Sequence, residues 1–408
     1  MRIRSITSFY DPRSPQSERQ LAALAAFSER FKQAIEVQVM PVLSQRLATV
    51  PFPLYLSDLP EPGRIARVTS LANQAREMGW DYFSIGPALV EHPWSYGAIP
   101  GFLSIARDIF SSAVVSDRSR FHPAAVRASA QVISDLTNLQ PDGFANLRFA
   151  ALANVPPGTP FLPAAYHKPD GAPAISLAVE CADAVLEAFT NADTLDSARQ
   201  RLLARFEETA RQLTAIFHSL EKNDGIEFLG FDFSPAPFPQ DWCSLGAAVE
   251  KIGLEHIGGI GSLSAVAVIA DTLDRGNWQR AGFNGMMLPV LEDSILATRA
   301  EQGSLTIQDL LLYSTVCGTG LDTIPLPGDT PVEHLEAVIM DIAALSVRLN
   351  KPLTARLMPI PGKIAGDPTT FEFEYFANSR VMAIDAQIVS LLANADQSIQ
   401  LIPRKKKG

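Results

Sequence analysis

Segment 317–330 combines reactive and conformationally special residues within a few turns of this 408-residue chain. It contains the thiol of Cys317, the carboxylates Asp322 and Asp329, and three glycines, and it directly follows a helical pattern. Glycines let backbone N–H groups approach a bound molecule, and carboxylates transfer protons or bind hard cations. This concentration of polar groups predicts a functional site, although it does not define a reaction.

Cys317 has two interpretations that the sequence leaves open. It can act directly in catalysis, with Gly318 and Gly320 allowing close approach of a substrate, or it can be an inert buried thiol, as most free cysteines are. The acidic neighbours of Cys317 disfavour the thiolate that a nucleophile requires.

Polar residues also follow other predicted strands, and ligands of α/β proteins gather at the carboxyl ends of parallel strands. Asp232, Glu292 and Asp322 are predicted acid/base groups, with Cys317 as a further catalytic candidate and His167 as a proton shuttle. The predicted substrate-binding residues, suited to an anionic group, are Arg356, Lys363 and Asn154. The predicted ligands of a divalent cation such as Mg²⁺, Ca²⁺ or Mn²⁺ are Asp232, Glu292, Asp293, Asp322 and Asp329.

Each candidate also has a structural interpretation. The aspartates and Glu292 can cap turns or helix N-termini, which favour carboxylates. His167 can be an ordinary loop histidine, and Lys363 an ordinary loop lysine. Arg356 is the exception, because an arginine within an apolar strand is costly to bury without a carboxylate or a substrate anion beside it.

The composition excludes several classes of function. The net charge of −10 argues against nucleic acids and acidic membrane surfaces as partners. Three widely spaced cysteines fit a reducing compartment, and the chain shows neither an apolar signal segment nor a membrane-length apolar run. We therefore expect a soluble cytoplasmic protein that binds a small molecule. Whether it forms a homo-oligomer stays open, and residues 401–408 are predicted to be a basic tail.

Alternating helical and short apolar patterns predict an α/β fold with largely parallel strands. A single large domain is expected over residues 1–400, with a weak internal boundary at the proline-rich segment 156–173, which can equally be an ordered loop over a site. Strands are predicted at 2–9, 37–43, 82–85, 112–116, 147–154, 228–233, 283–288, 323–326 and 353–360. Helices are predicted at 15–34, 63–78, 99–110, 123–136, 175–186, 195–220, 244–252, 262–273, 292–301, 307–316 and 331–349.

Several motifs together resemble the family called domain of unknown function 711. They are FAALANVPPGTPFLPAAYH at 149–167, GFDFSPAP at 230–237, LPVLED at 288–293, CGTGLD at 317–322, PGDT at 327–330, RLMPIPGK at 356–363 and GD at 366–367. The resemblance implies a ten-stranded α/β barrel like that of pyruvate formate-lyase. In that fold two parallel half-barrels are set antiparallel, helices lie outside, and a loop threads the centre.

The same fold-level resemblance makes Cys317 the counterpart of the active cysteine that glycyl-radical relatives carry on the central loop. Those enzymes also need a glycine in a C-terminal motif, whereas the corresponding string 380–385 (RVMAID) contains none. The sequence therefore favours a non-radical enzyme of hydrolase or lyase type acting on a small polar, carboxylated molecule. The alternatives are a small-molecule-binding or regulatory protein without turnover, and a structural assembly subunit.

Overall fold

The computed structural model describes residues 1–221, 225–386, 388, 391–392 and 394–403. Its strands are β1 (Arg2–Tyr10), β2 (Gln45–Thr49), β3 (Tyr82–Ala88), β4 (Ile109–Ser116), β5 (Arg120–Phe121), β6 (Phe149–Ala153), β7 (Ala174–Glu180), β8 (Glu227–Ala236), β9 (Gly320–Pro327), β10 (Leu353–Ile360) and β11 (Ile399–Gln400). Its α-helices are α1 (Ser17–Gln38), α2 (Pro53–Leu56), α3 (Glu61–Glu77), α4 (Trp94–Ile105), α5 (Pro123–Thr137), α6 (Ala182–Thr190), α7 (Leu195–Leu220), α8 (Leu245–Lys251), α9 (Ser262–Arg275), α10 (Ser294–Glu301), α11 (Ile307–Tyr313) and α12 (Val332–Leu349).

The strands form one mixed sheet in the order β8-β7-β1-β2-β3-β4-β6-β10-β9. The five strands from β1 to β6 in this order run parallel, and β7 and β10 pair antiparallel with the two outer strands of that block. Strands β8 and β9 then continue parallel to β7 and β10. The predicted α/β class is therefore confirmed. The described ladder has three parallel blocks, β8-β7, β1 to β6 and β10-β9, each antiparallel to its neighbour, where two half-barrels were expected.

The closed ten-stranded barrel is not found in the part of the chain that the structure describes. The ladder ends at β8 on one side and at β9 on the other. Segment 279–289 lies between these edges and makes only single bridges, from Arg280 to Phe231 and from Pro289 to Asp322. The strand predicted at 283–288 is accordingly wrong, because this segment forms no continuous ladder with either neighbour.

Helices cover the outer side of the sheet through apolar faces that the sequence spaces at helical intervals. Helix α7 begins at a capping box formed by Thr194 and Ser197 and buries Leu202, Phe206 and Phe217. It packs on α1, and α12 packs on α5 at the opposite side of the parallel block. These layers shield the outer face of the sheet and leave its inner face to line the site.

Two further predicted elements have the wrong type, and the helix predicted at 99–110 is shifted, because α4 spans Trp94–Ile105 and β4 begins at Ile109. The pattern at 37–43 predicts a strand, but α1 continues to Gln38 because Phe31 and Ile35 bury the same helical face, and β2 begins only at Gln45. The pattern at 175–186 predicts one helix, but the structure has β7 followed by α6. All seven residues of β7 are buried, and a short apolar run buried on both sides resembles a buried helix in sequence.

The proline-rich segment 156–173 lies against the inner face of the sheet. Hydroxyl groups from three strands donate to its carbonyl oxygens: Thr7 to Pro160 at 2.8 Å, Ser84 to Ala165 at 2.8 Å, and Ser176 to Gly158 at 2.9 Å. These bonds hold the segment on the sheet as an ordered loop.

Two expectations concern the membrane and the C-terminus. None of the helices in the described ranges is both long and apolar enough to cross a bilayer. Of the predicted basic tail at 401–408, residues 404–408 lie outside the described residues.

Candidate functional site

The inner face of the sheet encloses a cavity of about 200 Å³, here called the central cavity. Strands β1, β2, β3, β4, β6, β8, β9 and β10 each contribute at least one lining residue. Phe161, Leu162 and Pro163 of segment 156–173 contribute a further wall, and Phe373 and Tyr375 come from the C-terminal part of the chain. Because strands from both edges of the ladder reach the same cavity, the sheet must curve around it.

The charged lining of the central cavity is dominated by arginine. The cationic residues are Arg4, Arg46, Arg107, Arg148 and Arg356, and the anionic residues are Glu292 and Asp322. The lining therefore carries an excess of three positive charges, in a chain whose net charge is −10. Such a cavity attracts anions even though the whole protein repels them.

Arg356 holds the two carboxylates of the cavity. Its Nε donates to Asp322 Oδ1 at 2.5 Å and its Nη2 donates to Glu292 Oε1 at 2.7 Å. Arg4 donates to the other oxygen of Glu292 at 3.0 Å and also to Glu180 Oε2 at 3.0 Å. Arg4, Asp322 and Arg356 lie on strands β1, β9 and β10, whereas Glu292 ends the short 3₁₀ helix Val290–Glu292. The backbone of these four elements fixes the geometry of the cluster.

The ion pairs extend behind the cavity wall. Glu180 is 1% exposed, does not line the cavity, and accepts a bond of 2.7 Å from Arg2 Nε as well as the bond from Arg4. Arg2 in turn lies over the ring of Phe238, with 4.8 Å to the centroid. Charges therefore alternate from Arg2 to Asp322, and each carboxylate has an arginine beside it.

Burial shifts the protonation equilibrium of this cluster. Burial raises the pKa of Asp322, and Glu292 acts in the same direction, against the lowering effect of Arg356. Burial alone would lower the pKa of Arg356, but the two carboxylates outweigh it and raise the pKa. Asp322 can therefore hold a proton at higher pH than an ordinary aspartate, as a general acid or base requires.

Two further arginines reach the cavity without a carboxylate partner in the described chain. Arg46 donates from Nε to Ser44 Oγ at 3.1 Å, and burial, reinforced by the nearby charge of Arg4, lowers its pKa to about 10. Arg148 is buried, and burial followed by the nearby charge of Arg107 lowers its pKa to about 10. Both remain cationic at neutral pH. Arg46 is half-buried, and the buried Arg148 donates from Nη1 to the carbonyl oxygens of Leu103 and Ala106 at 2.8 Å each. Neither charge is neutralised by a carboxylate of the described residues, so both favour an anionic ligand.

Asp232 and Asp293 occupy structural positions instead of the cavity. Asp232 is fully buried and accepts bonds from the amides of Ser234, Phe283 and Asn284 and from the Ser234 hydroxyl. Burial raises its pKa although these bonds oppose the shift. Asp232 thereby fixes segment 279–289 against β8, which is the turn-capping interpretation.

Asp293 caps two helices at once. Its Oδ1 accepts from the amides of Ile295 and Leu296 at the start of α10, and its Oδ2 accepts from the amide of Leu245 at the start of α8. Ser244 adds a bond of 2.6 Å. Burial raises the pKa of Asp293, and these bonds act against that shift. The helix-capping interpretation accounts for all of its contacts.

The remaining sequence candidates are not among the residues that line the central cavity. Asn154 adopts a left-handed conformation with φ of 55° and donates to Ser346. Asp329 is exposed, and Lys363 is half-buried in the turn after β10. His167 is buried beside Phe9, and burial lowers its pKa.

Cys317 is buried in the main apolar core and does not line the cavity, whereas Thr319, two residues later, does. The Cys317 carbonyl accepts a bond from Lys351. The segment that lines the cavity from inside the sheet is 161–164, which contains no thiol. The analogy with a central-loop cysteine therefore finds no counterpart at this position.

The five proposed metal ligands do not converge. Across the described ranges, no three histidine, cysteine, aspartate or glutamate side chains are grouped so that they could hold an ion. Glu292 and Asp322 do approach one another, but Arg356 lies between them and supplies the positive charge. The donor set therefore does not fit a divalent cation.

Comparison with known proteins places this architecture in a family. The family model described as Uncharacterised ACR (DUF711) matches residues 1–378. The chain belongs to the DUF711 family. Similar proteins are UPF0210 proteins of Pyrobaculum arsenaticum (31% identical, covering 93% of this chain and 87% of the relative), Pyrobaculum islandicum (33%, covering 83% and 77%) and Methanopyrus kandleri (30%, covering 82% and 77%).

Sequence reasoning missed most of the cationic residues of this DUF711 protein. Arg4 and Arg148 lie within the strands predicted at 2–9 and 147–154, and Arg46 lies within the observed strand β2. This is the pattern that identified Arg356 as costly to bury. Applying the same criterion to every arginine in a predicted strand would have found Arg4 and Arg148. It would have missed Arg46, because no strand was predicted at that position.

Proposed function

We propose that this protein is a non-radical enzyme that binds a small carboxylated molecule in the central cavity and converts it by a hydrolase- or lyase-type reaction. The observation that supports the proposal is the excess of three positive charges on the lining, with Arg46 and Arg148 free of carboxylate partners in the described chain. Guanidinium groups bind carboxylates through paired hydrogen bonds, so these residues suit the recognition of such a substrate.

Asp322 and Glu292 would perform the proton transfers. Two carboxylates that differ in environment can take the roles of acid and base. Glu292 is neutralised by Arg4 and Arg356, whereas Asp322 has Arg356 alone and a raised pKa. Asp322 is therefore the proposed proton donor and Glu292 the proposed base. Because their donor set does not fit a divalent cation, we derive no step through a metal.

We also propose that segment 279–289 takes the place of the strand that would close a ten-stranded barrel. Its bridges to Phe231 and Asp322 touch both edges of the ladder, and Asp232 fastens it to β8. Phe283 and Met287 of this segment line the central cavity. On this proposal the cavity is the interior of a ten-stranded barrel in which an irregular segment occupies one strand position.

Binding and turnover are tested separately. Thermal unfolding is followed with acetate, succinate and adipate, and with adipamide as the uncharged counterpart of adipate. Adipate is expected to stabilise the protein and adipamide is not. Arg46→Gln should lose the effect, whereas Arg19→Gln, at an exposed position, should keep it. Stabilisation by adipamide equal to that by adipate would refute anion recognition.

Turnover is sought by NMR in a mixture of small carboxylic acids carrying ester, amide or hydroxyl groups. Asp322→Asn should abolish conversion and retain binding, because it keeps the guanidinium groups and removes the titrating oxygen. Binding that depends on Arg46 without any conversion would favour the alternative of a small-molecule-binding protein. That alternative has its own support, since no cysteine, histidine or lysine of the described chain lines the cavity.

A further inference from the structure

We infer that the ligand of the central cavity is a compact dianion built on a planar apolar ring, with its two anionic groups at opposite ends, as in an aromatic dicarboxylate. The inference rests on the proposed function, because it names the substrate class of the same site. It derives from a row of four side chains that crosses the inner face of the sheet.

The row consists of a cation, two aromatic rings and a second cation. Arg46 on β2 is paired in register with Tyr82 on β3, and its guanidinium lies 5.8 Å from the centroid of that ring. The Tyr82 ring meets the Phe110 ring of β4 edge to face, with 5.5 Å between centroids. Ser111 pairs with Phe149, so one residue earlier on these parallel strands Arg148 comes beside Phe110. All four residues line the cavity, and Nη1 of Arg148 is held by the carbonyl oxygens of Leu103 and Ala106.

The two cations form separate centres. Adjacent strands lie about 4.8 Å apart, so β2 and β6, with β3 and β4 between them, are separated by about 14 Å along the sheet. The charges that act on Arg46 are those of Arg4, Arg356 and Glu292, whereas Arg148 is affected by Arg107 and Asp108. One anionic group cannot neutralise both centres, but two groups at opposite ends of one molecule can.

The excess charge of the lining supports a dianion over a monoanion. Five arginines face two carboxylates, so a monoanion leaves two positive charges without compensation and a dianion leaves one. Including Arg2 and Glu180, which lie behind the cavity wall, does not change the excess of three positive charges, because they add one charge of each sign. Arg107 is exposed, so solvent can compensate its charge. Without Arg107 the excess is two positive charges, which a dianion neutralises and a monoanion does not, and leaving a desolvated cation unpaired is costly.

The aromatic floor and the volume define the body of the ligand. A planar ring can stack against or meet the edges of Tyr82 and Phe110, an arrangement that aromatic side chains favour. Phe161 and Phe283 supply further apolar surface. An apolar cavity of about 150 Å³ accommodates benzene. A cavity of about 200 Å³ therefore has room for one ring with small substituents.

Four probes separate the parts of the inference in calorimetric titrations of the full chain. Terephthalate has a ring and two opposed carboxylates, phthalate has adjacent carboxylates, benzoate has one carboxylate, and adipate has two without a ring. Terephthalate is expected to bind at least about tenfold more tightly than each of the others. Equal affinity for benzoate would overturn the dianion, equal affinity for adipate would overturn the ring, and equal affinity for phthalate would overturn the two separate centres.

Variants assign the preference to the row. Arg46→Gln and Arg107→Gln each remove one charge from a different centre, and each should weaken terephthalate binding by about tenfold while affecting benzoate less. Arg107 is exposed and is preferred to the buried Arg148, whose replacement endangers folding. Phe110→Leu should weaken terephthalate binding and leave adipate binding unchanged. Each variant must show a cooperative thermal unfolding transition, so that a loss of binding is not caused by a loss of folding.

The outcomes also separate this inference from the proposed function. If adipate or succinate binds in a manner that depends on Arg46 but terephthalate has no advantage, the ring-bearing dianion is wrong and the carboxylate site stands. If folded protein binds none of the carboxylates with any dependence on Arg46, both are wrong.

Discussion

Replacing Arg356 with methionine removes the cation shared by Asp322 and Glu292. All three residues are less than 10% exposed, so the loss occurs away from bulk water. Glu292 keeps its bond from Arg4, but Asp322 loses its one side-chain partner among the described residues. Removing one partner of a buried pair leaves an uncompensated charge and typically costs 3–5 kcal/mol. We therefore expect Arg356→Met to lower the free energy of unfolding by about 3–5 kcal/mol at neutral pH.

The cost should depend on pH. The pKa of Asp322 is already raised in the folded protein, and loss of the guanidinium raises it further. A carboxyl group with a higher pKa in the folded state than in the unfolded state binds protons preferentially when folded, so stability falls as pH rises between those two pKa values. Each tenfold increase in the proton affinity of the folded state corresponds to about 1.4 kcal/mol. The deficit of Arg356→Met relative to the parent protein should therefore be larger at about pH 8 than at about pH 5.

Urea unfolding followed by the fluorescence of the four tryptophans measures these differences. The double variant Arg356→Met/Asp322→Asn removes the uncompensated charge of Asp322 and should be more stable than Arg356→Met alone. The expected coupling energy between the two substitutions is about 2 kcal/mol. Arg19→Met, at an exposed position, should change stability by no more than about 0.5 kcal/mol. A loss below about 1 kcal/mol with additive double-variant behaviour would mean that the pair acts like an exposed ion pair, and the reasoning would be wrong.

Three further substitutions test the structural assignments. Asp232→Ala leaves buried donors unpaired and should lower the free energy of unfolding in urea by about 3 kcal/mol. The affinity of the folded variant for terephthalate should be unchanged. A loss of affinity without a loss of stability would show that Asp232 acts in ligand binding. Asp293→Ala removes the cap of α8 and α10 and should cost at least about 2 kcal/mol in the same assay. Cys317 should react with iodoacetamide only after unfolding, and Cys317→Ala should leave ligand binding intact; fast labelling of folded protein would contradict its burial.

Much of the fold was predictable because hydrophobic periodicity is a local property. The predicted helix at 195–220 and the predicted strand at 353–360 match α7 and β10 at both ends. The errors lie where hydrophobic periodicity does not distinguish a helix, a strand and an irregular segment from one another. A strand buried on both faces, such as β7, presents the same continuous apolar run as a buried helix. Segment 279–289 has apolar residues of strand type, but the hydrogen bonds of Asp232 determine its irregular path.

The site was predictable only in part because carboxylates serve two purposes. Asp232 and Asp293 fit a catalytic role in sequence as well as Asp322 does, and only coordinates show that amide groups occupy their oxygens. Arg356 was identified by a different criterion, the cost of a charge within an apolar strand. That criterion concerns the environment of a single residue, and the structure agrees with it, because Asp322 and Glu292 lie beside Arg356.

Net charge describes the exterior of this protein better than its binding chemistry. Exposed charges are screened over about 8–10 Å in ordinary salt, so the net charge of −10 governs encounters with other large molecules. Within the central cavity the potential depends on a few buried groups, where the effective dielectric constant is lower and each charge acts more strongly. An acidic chain can therefore enclose a cationic site. On the proposed function, the interior position of the arginines would confine anion recognition to molecules small enough to enter a cavity of about 200 Å³.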